Sequence, residues 1–256
     1  MAIRKTNVSL NSIWRKITRA RRLIEKANEE FKAIYGDSYF GLVSSYNLNQ
    51  LVEKAKDRLI GFAVYRVLEK YGITNIKVED KDVLELSEGD FDEEKIEEYM
   101  VEKYVKNADE IAFSQMLHRI VYLLPVLPKP ATSKDILNGR KLILRVRWDV
   151  WDKNLTHESI GAIRTLEKII KVVLGGERAS TVSDMGIAEM IKSFRTIMKP
   201  YNQARTYEIN NDYIEKIRIY KNGKLEITFK MRRYAYKIAK TLTLEDNEPD
   251  VLSFSK

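Results

Sequence analysis

The sequence predicts an α+β protein that is mostly helical, with an N-terminal antiparallel helix hairpin and a small antiparallel sheet covered by helices. Three observations predict this class: two long helical apolar patterns near the N-terminus, an alternating segment at 140–150, and a second alternating segment at 214–230 interrupted by Asn222-Gly223. Apolar residues that recur every three or four positions indicate helices, whereas alternation indicates half-buried strands. The chain has 256 residues, which is enough for one large domain or two small ones.

The first two predicted elements are long helices. One spans about 12–35 and carries an apolar seam at alternating spacings of four and three. The seam residues are Ile13, Ile17, Ala20, Ile24, Ala27, Phe31 and Ile34. A second helix is predicted over about 48–71, with Gly72 placed to end it. We expect the two helices to pair as an antiparallel hairpin, and we interpret Trp14, beside the seam, as a packing residue.

The middle of the chain is acidic and predicts shorter elements. Residues 73–86 are polar and mixed, a pattern that suits a strand or an irregular loop. Asp90 or Asp92 can cap a helix that runs to about residue 106. A further helix is predicted over about 109–124.

Prolines set the predicted domain organisation. Pro125, Pro128 and Pro130 lie within one short connection, which cannot be helical. The predicted parts are a helical N-terminal region over 1–124, an α+β C-terminal region with the hairpin and a basic helix over 131–245, and a polar tail over 246–256.

Strands and helices are predicted in turn after the prolines. Residues 140–151 alternate between apolar and polar side chains and predict a strand. A helix follows over about 156–174, ended by two glycines, and another over about 183–198. The hairpin comes next, and a last helix is predicted over 231–242.

The hairpin can form in two registers. A two-residue loop at Asn222-Gly223, which that dipeptide favours, would place the aliphatic residues of the two strands on opposite faces. A three-residue loop pairs Ile219 with Leu225 and places those residues on one face. Because a one-residue slip inverts every side chain, burial favours the second register. We predict a type I turn in which Gly223 is left-handed and forms a bulge.

Charge is segregated along the chain, whose net charge is +8. Residues 1–26 carry eight lysines or arginines against one glutamate, and residues 214–240 carry nine against two glutamates. Residues 79–110 carry fourteen carboxylates and four lysines. Two interpretations stay open: the charged faces complement each other within the fold, or a basic surface binds polyanions beside an acidic lobe.

A basic surface with interleaved tyrosines is predicted around the hairpin and the last helix. The candidate nucleic-acid-binding residues are Arg145, Arg147, Arg218, Lys224, Lys230, Arg233, Tyr236 and Lys237. Cations contact phosphates and tyrosine rings stack on bases, so this combination suits nucleic acid. The alternative is a solvated, lysine-rich edge that discourages aggregation of the sheet.

The sequence lacks the motifs of common enzyme classes, and we predict no catalytic residue, cofactor or metal site. It contains no cysteine, which excludes disulfides, thiolate metal sites and cysteine nucleophiles. No phosphate-binding loop, dinucleotide fingerprint or serine-nucleophile motif occurs. A nuclease that holds Mg²⁺ with Asp149 and Asp152 is a further hypothesis, although these acids can equally pair with Arg145 or Arg147.

Composition also predicts a location. No apolar run reaches the roughly 18 residues that a membrane-spanning helix needs, and residues 1–10 lack the apolar core of a signal peptide. We therefore expect a cytoplasmic protein, in the host cell if it is viral. Scarce glutamine, absent cysteine and frequent lysine, glutamate and isoleucine suggest a thermophilic source.

Four segments carry a resemblance to a known family. The strongest resemblance is at 217–230, Ile-Arg-Ile-Tyr-Lys-Asn-Gly-Lys-Leu-Glu-Ile-Thr-Phe-Lys. The segments 91–96, 138–144 and 163–174 resemble the family more weakly and occur in the same order along the chain as in its members. They resemble a phage- and plasmid-borne family of unknown function, often fused to or encoded beside adenine-specific DNA methyltransferases. The chain departs from that pattern at 125–130 and carries no methyltransferase motif. The resemblance implies no catalytic residues, but it implies a viral or mobile-element context near DNA modification or host–virus conflict.

Two function classes stay open. The first is a non-catalytic nucleic-acid-binding accessory protein of a virus or mobile element, whose binding should weaken steeply with salt. The second is a protein-interaction module that inhibits or modulates a host defence or DNA-modification complex. Its partner would bind the helix seam at 13–34 or the acidic segment at 79–110. This second class predicts stoichiometric complexes and no affinity for bare oligonucleotides.

Overall fold

Two long helices begin the described part of the chain. The computed structural model describes residues 9–35, 44–125, 127, 130–149, 154–191 and 204–245. Helix α1 (Leu10–Tyr35) packs against α2 (Ser45–Lys70), as predicted. Gly72 has a φ of +69° directly after α2, which is the left-handed backbone that glycine adopts at little cost.

The apolar seam of α1 is less buried than its pattern suggests. Ile13, Ile17, Ile24, Ala27 and Phe31 are half-buried, whereas Ala20 and Ile34 are exposed. Trp14 is buried and its ring centroid lies 6.2 Å from that of Phe91, which confirms its interpretation as a packing residue.

Short acidic elements follow α2. They are α3 (Asp80–Ser87), α4 (Glu93–Met100) and the π-helical turn Val101–Val105. Asp92 caps α4 by accepting a hydrogen bond from the Glu94 backbone N–H at 3.1 Å, which confirms one of the two predicted caps. The prediction of a strand or loop over 73–86 is wrong for residues 80–86, which form most of α3. This helix forms because Asp82 is buried and accepts hydrogen bonds from Lys103 and Tyr104 in the π-helical turn.

The chain forms two compact units, Met1–Ala108 and Asp109–Lys256. Nearly all of α5 (Ala108–Ile120) therefore belongs to the second unit. There Asp109 accepts hydrogen bonds from the Ser180 backbone N–H at 2.8 Å and the Ser180 hydroxyl at 2.6 Å. The predicted division at the prolines lies inside this unit, so separate folding of 1–124 and 131–245 stays a prediction.

The second unit contains an antiparallel sheet. Its strands are β1 (Leu137–Asn138), β2 (Lys141–Arg145), β3 (Ala204–Glu208), β4 (Ile214–Tyr220) and β5 (Lys224–Phe229), in the spatial order β1-β2-β5-β4-β3. Its described helices after α5 are α6 (Ser133–Ile136), α7 (His157–Gly175), α8 (Ile187–Ile191) and α9 (Arg232–Leu242). Helix α9 packs on β2 and β5 and against α7. This arrangement confirms the predicted α+β class.

The strand predicted over 140–150 is confirmed but is shorter than expected. It leaves the sheet after Arg145, where the Val146 N–H donates to the Gly223 carbonyl at 2.8 Å and the Arg147 N–H donates to the Ser159 hydroxyl at 2.8 Å. Residue 150 lies outside the described residues, as do residues 192–198 at the end of the helix predicted over 183–198. Strand β3 was not predicted, because its five residues, Ala-Arg-Thr-Tyr-Glu, have no apolar alternation.

The hairpin adopts the predicted three-residue register. Ile219 pairs with Leu225 and Ile217 with Ile227, so these aliphatic side chains share one buried face. Gly223 has a φ of +83°, and its N–H donates to the Tyr220 carbonyl at 3.0 Å. The left-handed glycine and the register are therefore both confirmed.

Candidate nucleic-acid interface

The two faces of the sheet differ in chemistry because side chains alternate along each strand. The inner face, which α9 covers, is aliphatic and aromatic and consists of Leu142, Leu144, Ile217, Ile219, Leu225, Ile227 and Phe229, all at most 2% exposed. The outer face carries Lys141, Ile143 and Arg145 on β2, Lys224, Glu226 and Thr228 on β5, Lys216, Arg218 and Tyr220 on β4, and Ala204, Thr206 and Glu208 on β3. Five of these twelve side chains are cations and two are carboxylates, so the outer face is basic.

Three of the predicted cations come together on this outer face. Arg145 on β2 is the register partner of Lys224 on β5, and Arg218 lies on the neighbouring strand β4. We call these three residues the cationic cluster. Adjacent strands are about 4.8 Å apart, so the cluster spans about 10 Å across the sheet.

Tyr220 lies within the cationic cluster. The Lys224 ammonium is 5.2 Å and the Arg218 guanidinium 5.3 Å from the centroid of the Tyr220 ring. Both distances are within the range of a cation–π interaction. The ring therefore helps to hold the two cations on the outer face.

Glu226 neutralises part of this charge. Its carboxylate is buried, 2.6 Å from the Lys224 ammonium and 3.6 Å from that of Lys141. Burial alone would raise the pKa of Glu226, but the hydrogen bond from Lys224 and the charges of both lysines outweigh it and lower the pKa. Within the described part of the chain, Arg145 and Arg218 have no ion-pair partner, so their charges face solvent.

The other predicted site residues lie elsewhere. Lys230 is exposed at the far end of the hairpin, six residues from Lys224, or about 20 Å at the rise of a strand. Arg147 is exposed on the segment that follows β2.

Three predicted residues, Arg233, Tyr236 and Lys237, are exposed on α9. Because the buried side of α9 covers the inner face of the sheet, these side chains are separated from the cationic cluster by the sheet itself. The Lys237 ammonium donates to the Val173 carbonyl at 2.8 Å, near the C-terminal end of α7, where a cation is favourable. The expected continuous surface of hairpin and helix is thus two separate groups.

Sequence reasoning missed two cations of the outer face, Lys141 and Lys216. Lys141 was detectable, since it begins the alternation Lys-Leu-Ile-Leu-Arg of β2. Lys216 was detectable as well, since it pairs with Thr228 in the same register as Ile217 with Ile227 and so shares the face of Arg218.

A cleft lies beside the cationic cluster at the edge of the sheet. Its volume is about 230 Å³, and it is lined by Pro125, Asp135, Ile143, Leu144, Arg145, Asn222 and Lys224. It exists because β1 pairs only with Lys141 and Leu142, so that the rest of β2 has no described strand beside it. We call it the edge cleft.

The nuclease hypothesis gains no support from the geometry. Among the described residues, no group of three or more histidines, aspartates and glutamates is placed to hold a metal ion. Asp149 is half-buried after β2, and Asp152 lies outside the described residues. The two-aspartate site therefore stays a prediction.

Comparisons with known proteins give no assignment. The chain matches no protein-family model, no curated protein and no solved structure. None of the described helices is both long and apolar enough to cross a membrane. Function must therefore be argued from the residues of the sheet.

Proposed function

We propose that the protein is a non-catalytic nucleic-acid-binding accessory protein that contacts the phosphate backbone with the outer face of its sheet. The observation that supports this most directly is the cationic cluster, in which Arg145 on β2 lies beside Lys224 and Arg218 of the hairpin although it is distant from them in sequence. Local charge runs arise easily on a solvated helix, whereas this cluster requires the tertiary fold. Phosphate contacts by such cations supply most of the affinity in sequence-independent binding.

Protection of a sheet edge explains at most one of these cations, Arg145, whose part of β2 has no described strand on one side. Charged residues that prevent aggregation are needed on edge strands. Lys224 and Arg218 lie on β5 and β4, which have a strand on either side. The cluster therefore requires another explanation, and a polyanionic ligand provides one.

The resemblance of the hairpin supports a viral or mobile-element context for this function. Members of the resembled family accompany DNA methyltransferases, so a role beside DNA modification is part of the proposal. The identity of the neighbouring genes tests it: a methyltransferase or phage genes would support this context, and an unrelated housekeeping operon would contradict it.

The binding function is tested by salt dependence and by charge removal. Single- and double-stranded oligonucleotides should bind with an affinity that falls steeply as salt rises. Arg145→Ala with Arg218→Ala should weaken binding and reduce the slope of log K against log salt by about 1.4–1.8, because each phosphate contact contributes about 0.7–0.9. Fluorescence anisotropy at several salt concentrations measures both quantities.

A matched control separates this site from net charge. Lys54 and Lys95 are exposed on α2 and α4, and replacing both with alanine removes the same charge. This control variant should bind almost as the original protein does. The proposed function would be contradicted if the binding affinity did not change with salt. It would also be contradicted if the two double variants lost the same amount of affinity.

A protein-interaction module is the second candidate function, and exposed apolar residues on α2 favour it. Leu51, Phe62 and Tyr65 are 63%, 60% and 62% exposed, and their spacing places them on one side of the helix. Phe62 and Tyr65 are one helical turn apart, and exposed apolar side chains that lie together often mark a protein contact. Phe62→Ser with Tyr65→Ser should abolish stoichiometric complexes in a pull-down, and nucleic-acid binding should be absent if this is the function.

A further inference from the structure

The edge cleft and the cationic cluster are continuous. Arg145 and Lys224 belong to both, since each lines the cleft and each contributes its charge to the outer face. A chain of phosphates crossing the cluster would therefore pass the mouth of the cleft.

Among the described elements, none projects from the outer face to read a duplex. The major groove of duplex DNA is about 12 Å wide and accepts a helix or a free two-stranded ribbon. Strands β4 and β5 form a hairpin, but β3 and β2 flank it, so it is not a free ribbon. The basic helix α9 lies on the other side of the sheet.

The edge cleft has the size and lining for one flat ring. At about 230 Å³ it is smaller than the roughly 300–1,000 Å³ of pockets for drug-sized ligands, and it cannot admit a helix of about 10–12 Å diameter. Pro125 and Ile143 supply apolar walls. Asn222 also lines the cleft, and because its side-chain oxygen accepts the Lys224 N–H at 3.1 Å, its amide group is the part that can donate to a base.

From this geometry we infer that the ligand of the outer face is a single-stranded nucleic acid, one of whose unpaired bases enters the edge cleft while its phosphates contact Arg145, Lys224 and Arg218. This inference rests on the proposed function and narrows its substrate class. Unpaired bases are recognised by insertion or stacking and by hydrogen bonds to their edges, while cations follow the backbone. A paired base inside a duplex cannot enter such a cleft without being flipped out.

Three fluorescent oligonucleotides test the inference by anisotropy with the full chain. They are a single strand of about 12 nucleotides, within the usual range of site sizes, the duplex of the same sequence, and the same single strand without bases. The intact single strand should bind about tenfold more tightly than either of the others, because each ordered base contributes about that factor or more.

Two variants should remove the preference for bases. Ile143→Trp fills the cleft, and Asn222→Asp keeps the oxygen that accepts the Lys224 N–H but replaces the amide donor with a negative charge. Either change should bring the affinities for the intact and base-free strands to within about twofold. Met190→Trp is the matched control, because it adds the same indole to a side chain that is 51% exposed on α8, which packs on α7. That variant should keep the tenfold preference.

The outcomes distinguish the two proposals. Equal binding of all three oligonucleotides with a steep salt response would overturn the single-strand inference and leave the proposed function in place. Absence of binding to any of them would overturn both. Saturable binding of a glutamate-rich peptide that Ile143→Trp abolishes, with no binding of oligonucleotides, would overturn both in favour of a peptide ligand. Thermal melts followed by circular dichroism confirm that each variant is folded.

Discussion

At the scale of single residues, Gly223 determines how the hairpin meets the strand beside it. Its φ of +83° is left-handed, and a Cβ at this position would lie only 2.5 Å from the Val146 carbonyl oxygen. That carbonyl belongs to the segment where β2 leaves the sheet, and it cannot withdraw freely because the Val146 N–H is bonded to the Gly223 carbonyl. Both the turn and the mouth of the edge cleft therefore depend on the absence of a side chain here.

Gly223→Ala should lower the free energy of unfolding by about 2–4 kcal/mol, since it combines left-handed strain with a backbone clash. Gly139→Ala is the control: Gly139 is also left-handed, with a φ of +62°, but a Cβ there meets nothing within 4 Å. The control should lose only about 1 kcal/mol. Urea denaturation measures both, and equal losses would show that the contact with Val146 is unimportant.

Asp109 makes the stability of the fold depend on pH in the acid range. Burial opposes its ionisation, but hydrogen bonds from Ser180 and the Arg178 guanidinium outweigh burial and lower the pKa of Asp109 below its ordinary 3.8. A carboxyl whose pKa is lower in the folded state stabilises the fold above its unfolded pKa, and this contribution disappears as the pH falls through the folded value. Acid should therefore weaken the second unit.

Asp109→Asn should lower stability at pH 7 by about 1–3 kcal/mol and should flatten the loss of stability below about pH 4. Urea midpoints measured from pH 7 to pH 2 give both effects. Asp57→Asn, at an exposed position on α2, is the control and should leave the pH profile unchanged. A wild-type profile that matches the Asp109→Asn profile would refute this role.

At the scale of elements, α3 illustrates how a short helix is held by side chains. Asp82 on α3 accepts a hydrogen bond from the Lys103 ammonium at 2.6 Å and another from the Tyr104 hydroxyl, which itself accepts the Glu79 N–H at 3.0 Å. Burial and the bond to Asp82 raise the pKa of Tyr104 to about 12. Because the neutral phenol is favoured in the folded state, this contribution is complete below about pH 10 and is lost between pH 10 and pH 12.

Tyr104→Phe should lower stability at pH 7 by about 1–3 kcal/mol, since Asp82 loses a buried donor, and should reduce the alkaline loss of stability. Hydrogen exchange should rise first in α3. Tyr65→Phe removes a hydroxyl from a tyrosine that is 62% exposed on α2, and it should cost less. If α3 exchanges equally fast in both variants, Asp82 is not what holds this helix.

Elements with a clear apolar pattern could be predicted from the sequence, and elements without one could not. The hairpin register followed from the faces of residues only a few positions apart, and the start of α7 was predicted at about Thr156, whose hydroxyl accepts the Ser159 N–H in the structure. The sheet that joins the strand at 140–150 to the hairpin was also predicted, although β2 is about eighty residues away in sequence, whereas β3 was missed because it has no apolar alternation. The cationic cluster was only half predicted: its members were identified, but α9 was expected to belong with them.

At the scale of the whole molecule, the acidic segment and the basic outer face differ in how far their charges are paired. Carboxylates of the acidic segment pair with cations of their own compact unit: Glu93 is 2.7 Å from Arg66, and Glu97 is bonded to Lys70. This pattern agrees with charges that complement each other within the fold. The outer face of the sheet differs, since Glu226 neutralises only Lys224 and Lys141 there. The excess positive charge on that face is therefore what a polyanion would meet.

The boundary between the two compact units, at residue 109, predicts which fragment of the chain can fold alone. The second unit begins at Asp109, and its core includes Met116, Ile120 and Leu123, each at most 3% exposed. The turn Val121–Leu123 packs on α7 and β2. A fragment cut at the predicted proline boundary would lose all of these side chains.

A fragment of residues 109–256 should unfold cooperatively, whereas a fragment of residues 131–256 should be less stable by several kcal/mol or fail to fold. Each buried apolar side chain removed costs about 2–5 kcal/mol, and loss of Asp109 leaves the Ser180 N–H and hydroxyl without this acceptor. Urea denaturation followed by circular dichroism compares the two fragments. Equal stability would instead favour the boundary at the prolines, and it would mean that α5 contributes little to the sheet on which the proposed site depends.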